Sequence, residues 1–180
     1  MHLRALAQIN TEPASRVLNL FLGFCHSQRW AQAMVDARPF NTETMLFDAA
    51  ERHWRDSAPE DVLEAFAAHP RIGDRQALAK KFETQVQREQ GQVARAPEAV
   101  IDALAEANER YIERFGYIFI VCAAGKSAET MLSLLSERLD NPAELELKVA
   151  TGEQHQITRL RIQAWLEEFE NESSHHNPCA

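Results

Sequence analysis

Glycine and proline are scarce: six and seven residues in a chain of 180. Without turn-formers there is little to punctuate a fold of many short strands, so long helices are expected instead. Cysteine is scarcer still. Cys25, Cys122 and Cys179 are odd in number and widely spaced, which matches neither a disulfide framework nor zinc-ligand spacing, and a reducing cytoplasm is expected. The 19 Lys and Arg are outnumbered by 27 Asp and Glu, leaving a net charge of -8. That balance argues against nucleic acid or an acidic membrane as the main partner, although a local cationic pocket could still hold a small anion. No apolar run is long enough to cross a bilayer. The interrupted "MHLRALAQINTEP" does not resemble a secretory signal, and the closing "NPCA" is not a peroxisomal address. Glycine-rich phosphate loops, nucleophile elbows and HExxH are absent too.

What remains is ordinary globular material, 45% hydrophobic and 26% charged, with apolar residues at helical spacing. "PASRVLNLFLGF" carries Val17, Leu18, Phe21 and Leu22 on one face, and "RWAQAMVDARPF" stops at Pro39. Asn41 or Thr42 can cap a helix with Met45, Leu46, Ala49, His53 and Trp54 in phase. Ser57 and Glu60 have capping-box spacing ahead of a stripe of Val62, Leu63, Phe66 and Ala67. Residues 75–95 read as a marginal helix with a sparse stripe. "PEAVIDALAEANERYIERFG" is a clear helix, with Pro97 in its first turn and Gly116 as its stop. Another follows a Ser127 cap, and the last starts near Asn141 and Pro142 and runs to about residue 169. Between them "YIFIVCAA" is a continuous apolar run with no second strand to pair with. The expectation is an all-α, single-domain bundle of about eight helices over residues 1–170, with a buried apolar segment at 117–124 and a disordered tail at 171–180.

Three features can carry chemistry. His69 precedes Pro70, which cannot continue a helix and pushes the histidine toward extended backbone. Such a histidine is either a helix cap or a group that exchanges protons near neutrality. Arg161 falls on the stripe of Ile157, Leu160, Ala164, Trp165 and Phe169, so it is an internal ion pair, a stem snorkelling to water, or a fork for a carboxylate or ureido carbonyl. Glu89 and Gln90 are adjacent, which fits a solvated face or, at a helix end, one small ligand. His175, His176 and Cys179 lie in the tail without fixed geometry, so no metal site is expected. Cys122 reads as a small core residue.

Taken together, "ARPF" (37–40), "HPRIG" (69–73), "REQ" (88–90), "RFGYIFIVCA" (114–123), "SERLDNPAELEL" (136–147) and "ITRLRI" (157–162) resemble, in order and spacing, the decarboxylases of 2-oxo-4-hydroxy-4-carboxy-5-ureidoimidazoline (OHCU). The resemblance implies an all-helical homodimer that needs no cofactor and converts OHCU to (S)-allantoin in urate breakdown. It also implies that His69 is the catalytic acid/base, with Glu89 beside it. Pro70, Gln90, Arg161 and the main chain of Phe119, Ile120, Val121, Cys122 and Ala123 would then contact substrate. Many members have serine where this chain has Val86, so Thr84 or Gln87 would have to supply that polar contact. The rival reading is a non-enzymatic helical interaction module, with His69 a cap and Arg161 a salt-bridge partner.

Overall fold

The computed structural model describes residues 2–69 and 98–175, with side chains through residue 172. Among these residues there are eight helices and no strand: α1 (Leu3–Thr11), α2 (Ala14–Cys25), α3 (Gln28–Asp36), α4 (Glu43–Arg55), α5 (Pro59–Ala67), α6 (Glu98–Phe115), α7 (Ala128–Arg138) and α8 (Ala143–His175). Pro70, Glu89, Gln90, Pro97 and the expected helix at 75–95 lie outside the described residues. None of the described helices is long and apolar enough to cross a membrane.

The helix starts follow from local hydrogen bonding. Thr42 and Ser127 are N-caps whose side chains accept from Met45 N–H and Thr130 N–H, and Ser27 does the same for Trp30 N–H. The capping box expected at Ser57 and Glu60 does not form. Pro59 takes the first helical position, so Asp61, not Glu60, reaches back to Ala58 N–H at 3.1 Å. Ser57 instead donates to His53 C=O at the end of α4 (3.0 Å). Gly116, at φ 80°, closes α6 by donating to Ile112 C=O at 2.8 Å, in the left-handed conformation that glycine adopts without strain.

Two compact units emerge, Met1–Ala65 with Gln154–Ala180, and Phe66–Glu153. In the first, Phe21 is fully buried and meets Phe24, Trp30 and Phe40 edge to face, with centroids 5.9–6.3 Å apart. The indole N–H of Trp30 donates to Ala50 C=O at 3.0 Å. The "ARPF" residues serve this core: Arg38 donates to the carbonyls of Ile9, Glu12 and Val35, each at 3.0 Å. Phe40 exchanges two hydrogen bonds with the Asn10 amide. The second unit packs Ile101, Leu104, Ala107, Tyr111, Phe119, Val121, Ala128, Met131 and Leu135 together.

Several expected faces are rotated. Met45 and Leu63 are exposed, while Ala50 and Ala65 are buried in their helices. In α8 the buried residues are Glu146, Ala150, Gln154, Thr158, Ile162 and Leu166, and Leu160 and Ala164 face solvent. A spacing of four advances about 40° beyond a full turn at each step. The buried face therefore winds around α8, and half of its positions are polar, which hid it from an apolar-stripe reading. The helix also passes through Gly152 and continues to His175. Phe21→Ala should lower the unfolding free energy by about 3–5 kcal/mol, the usual consequence of emptying a core aromatic site, as read by urea denaturation at constant m-value.

Candidate active site

Beyond Gly116 the chain is neither helix nor strand through Ala123, yet Phe119, Ile120, Val121 and Cys122 are buried. The apolar run is thus an irregular strip, and it ends at Ala123, since Ala124 is exposed. Aromatic contacts fix its entry: the Tyr117 ring lies 5.2 Å from Phe66, and Phe119 meets Tyr111 edge to face at 5.4 Å. Side chains from three helices then bind its main chain. Phe119 N–H donates to Asn108 Oδ1 (3.2 Å), and Arg138 Nη1 donates to Ile120 C=O (2.9 Å). Cys122 N–H donates to Glu153 Oε2 (2.6 Å), and Lys126 Nζ donates to Cys122 C=O (2.7 Å). Among the described residues, nothing pairs with the N–H of Ile120 or with the N–H and C=O of Val121, although these residues are only 2% and 7% exposed. The Nδ2 of fully buried Asn108 also has no partner there. Buried main-chain groups are nearly always paired, so these are groups that a polar partner could satisfy.

Behind the strip lies Glu146, with no solvent exposure at all. Its carboxylate accepts from Tyr111 OH, from Arg138 Nε at 2.8 Å and from Arg138 Nη2, and from Asn141 Nδ2 at 2.7 Å. The Arg138 guanidinium also covers the Phe119 ring, 4.6 Å from its centroid. Burial, then the Glu146 carboxylate, pushes the Tyr111 phenol well above its ordinary pKa, so it keeps the proton that it donates to Glu146. Asn108, Arg138, Glu146 and Glu153 were missed from sequence. The available signal was polarity in phase with apolar faces: Arg138 follows Leu135 and Met131 at helical spacing, and Glu146 precedes Ala150 by four.

His69 lies two residues past α5, half-buried, with its N–H donating to Phe66 C=O at 3.1 Å. It has left the helix as the following proline dictates. It belongs to the same unit as the 119–123 strip, and Arg161 to the other. Pro70, Glu89 and Gln90 fall outside the described residues. Half-buried Arg161 has no carboxylate partner among the described residues; its Nη1 donates to Phe24 C=O (2.8 Å), at the end of α2. Loss of water lowers its pKa, partly opposed by Cys25. Around it, burial pushes the Cys25 thiol up to about 11. His26 caps α2 in the left-handed conformation (φ 65°) and is held below the ordinary histidine range, first by burial and then by Arg161. Among the described residues, no His, Cys, Asp and Glu side chains group into a metal site.

A family model described as OHCU decarboxylase matches residues 10–163. The chain is 34% identical over 141 residues to the uric acid degradation bifunctional protein TTL of Arabidopsis thaliana, covering 77% of this chain and 44% of that protein. The chain thus spans less than half the length of that bifunctional relative. It is 27% identical over 164 residues to the 2-oxo-4-hydroxy-4-carboxy-5-ureidoimidazoline decarboxylase of Haloferax volcanii, covering 90% of this chain and 96% of that one. Among solved structures, an OHCU decarboxylase crystallised in the presence of (S)-allantoin superposes with a TM-score of 0.69 at 31% identity, covering 83% of this chain and 98% of that one.

His26, His53 and His155 are all held below the ordinary range, chiefly by burial. A base whose folded pKa is depressed binds its proton more readily in the unfolded chain. The stability this gives is present above about pH 6.5 and is lost as pH falls below it. The melting temperature should therefore drop as pH falls from about 7.5 to about 5. His26→Asn, which tolerates the left-handed backbone, should flatten that drop; an unchanged slope would show that His26 contributes nothing to it.

Proposed function

This chain belongs to the OHCU decarboxylase family, and from that premise we propose that it converts OHCU to (S)-allantoin and carbon dioxide in urate breakdown. The observation that carries the reading is the buried main chain at Ile120 and Val121, where the N–H of both and the C=O of Val121 have no partner among the described residues. Each such group costs about 1–3 kcal/mol if it stays unpaired. A flat ring with ureido and carbonyl edges offers both the acceptors and the donors they need.

The chemistry asks little else of the protein. When the carbon–carboxylate bond breaks, its electron pair moves into the unsaturated imidazoline ring, so the substrate is its own electron sink and no cofactor is expected. A proton must then reach the ring carbon from one face, and the face chosen sets the handedness of the product. We assign that transfer to His69, which the end of α5 leaves outside the helix. Glu89 and Gln90 are assigned to the ring and its hydroxyl. Arg161 is assigned to the ureido group, with Pro70 and the main chain of Phe119, Ile120, Val121, Cys122 and Ala123 orienting the ring. The Arg161 guanidinium spends one donor on Phe24 C=O, so the fork keeps further donors for a ligand. Residues 1–170 are read as one functional domain, acting as a homodimer in the cytoplasm.

The test is to generate OHCU from urate and follow (S)-allantoin by circular dichroism. His69→Asn should lower kcat by about 10²- to 10⁴-fold, the usual contribution of a positioned acid/base, with an unchanged helical spectrum. Near wild-type turnover would remove His69 from the mechanism. For Arg161→Gln, KM should rise about tenfold, the equivalent of about 1.4 kcal/mol, while the protein stays folded. Unfolding of that variant would make Arg161 a structural cap of α2.

A further inference from the structure

We infer that Arg138 and Glu153 are positioning residues for this reaction, setting the direction and strength of the donor and acceptor that Val121 presents to substrate. The inference rests on the decarboxylase reading above. A trans peptide is planar, with its C=O and N–H pointing opposite ways. Ile120 C=O and Val121 N–H belong to one such plane, and Arg138 Nη1 holds the carbonyl end at 2.9 Å. The other end of that plane, Val121 N–H, is thereby aimed away from Arg138. The next plane joins Val121 C=O to Cys122 N–H, and Glu153 Oε2 holds the N–H end at 2.6 Å. Val121 C=O is thereby aimed away from Glu153. Both open groups of Val121 are thus the far ends of peptides whose near ends are gripped by charged side chains.

The signs of the two charges matter as well. A guanidinium on the carbonyl withdraws electron density and makes the linked N–H a stronger donor. A carboxylate on the N–H does the reverse and makes the linked C=O a stronger acceptor. One donor and one acceptor on successive peptides match a ureido or cyclic-amide edge, which carries a C=O beside an N–H. Arg138 is itself held by Glu146, and Lys126 grips the carbonyl of Cys122, the start of the following peptide.

Glu153 is the residue to vary, since it is only half-buried. Glu153→Gln keeps an acceptor for Cys122 N–H. Glu153→Ala removes it, and Glu153→Asp withdraws it by one methylene. Steady-state decarboxylation and (S)-allantoin binding by calorimetry are compared below the melting temperature of the least stable variant. Glu153→Ala and Glu153→Asp should raise KM and the allantoin dissociation constant about tenfold, the effect of about 1.4 kcal/mol, with kcat changed less. Glu153→Gln should recover most of that loss. Wild-type KM in the Ala and Asp variants, with or without a lower melting temperature, overturns the inference, and so does a Gln variant as impaired as Ala. A wild-type protein that does not turn OHCU over overturns the functional reading instead, so the two failures are distinguishable.

Discussion

A carboxylate sealed from water constrains how α6, α7 and α8 meet within the Phe66–Glu153 unit. Glu146 has no solvent exposure, and moving a carboxylate out of water is tolerable only if donors replace the lost hydration. Tyr111, Arg138 and Asn141 supply them, from α6, the end of α7 and the turn before α8. Each donor must sit within hydrogen-bond reach, so one buried charge fixes the mutual placement of those three pieces. Removing a single partner from such a pair typically costs about 3–5 kcal/mol, because the charge left behind has no compensation. The gain is less in net stability than in geometry: Arg138, pinned by Glu146, has one nitrogen left over for Ile120 C=O. The 119–123 strip is held in place by a charge buried behind it.

The Met1–Ala65 and Gln154–Ala180 unit solves a different problem with the same residue type. Here a guanidinium is half-buried without a carboxylate among the described residues, and it rests on a helix C-terminus. The last carbonyls of α2 carry partial negative charge and lack partners within the helix. Phe24 C=O gives Arg161 an anchor without neutralising it. A formal ion pair would have cancelled the charge; a carbonyl orients it and leaves it available. Cys25 stays a thiol beside it, since burial keeps its pKa near 11, and so adds no competing anion at neutral pH.

The sequence was most legible where local chemistry decides the outcome. Thr42 and Ser127 cap helices because their hydroxyls reach an unpaired N–H three residues on, whatever the rest of the fold does. Gly116 stops α6 for an equally local reason. His69 leaves α5 because proline follows it. The apolar run was recognised as buried, and the scarcity of strands correctly argued against a sheet. Legibility ended where polar atoms are buried. Glu146, Gln154 and Thr158 occupy inward positions of α8 that an apolar template assigns to solvent, and Arg138, which braces the strip, drew no notice in the sequence. Nothing in a single sequence says that a glutamate at one position will meet a tyrosine 35 residues earlier. That information exists only in the packing of the helices.

The same packing explains why buried main chain, and not only side chains, carries polar groups that lack partners among the described residues. A helix or strand would have consumed the N–H and C=O of Val121 in its own ladder; only irregular backbone leaves them open. Irregular backbone normally lies at the surface, where water satisfies it. To keep it inside, the fold needs apolar side chains that exclude water and polar or charged ones that grip selected peptides. Phe119, Ile120 and Val121 serve the first need, and Asn108, Arg138, Glu153 and Lys126 the second. Hydrogen bonds formed in such surroundings are stronger than in water, so a small polar heterocycle can be held firmly by a few of them. Two residues whose side chains are purely hydrocarbon thus carry, in their main chain, the polar groups on which the proposed recognition rests.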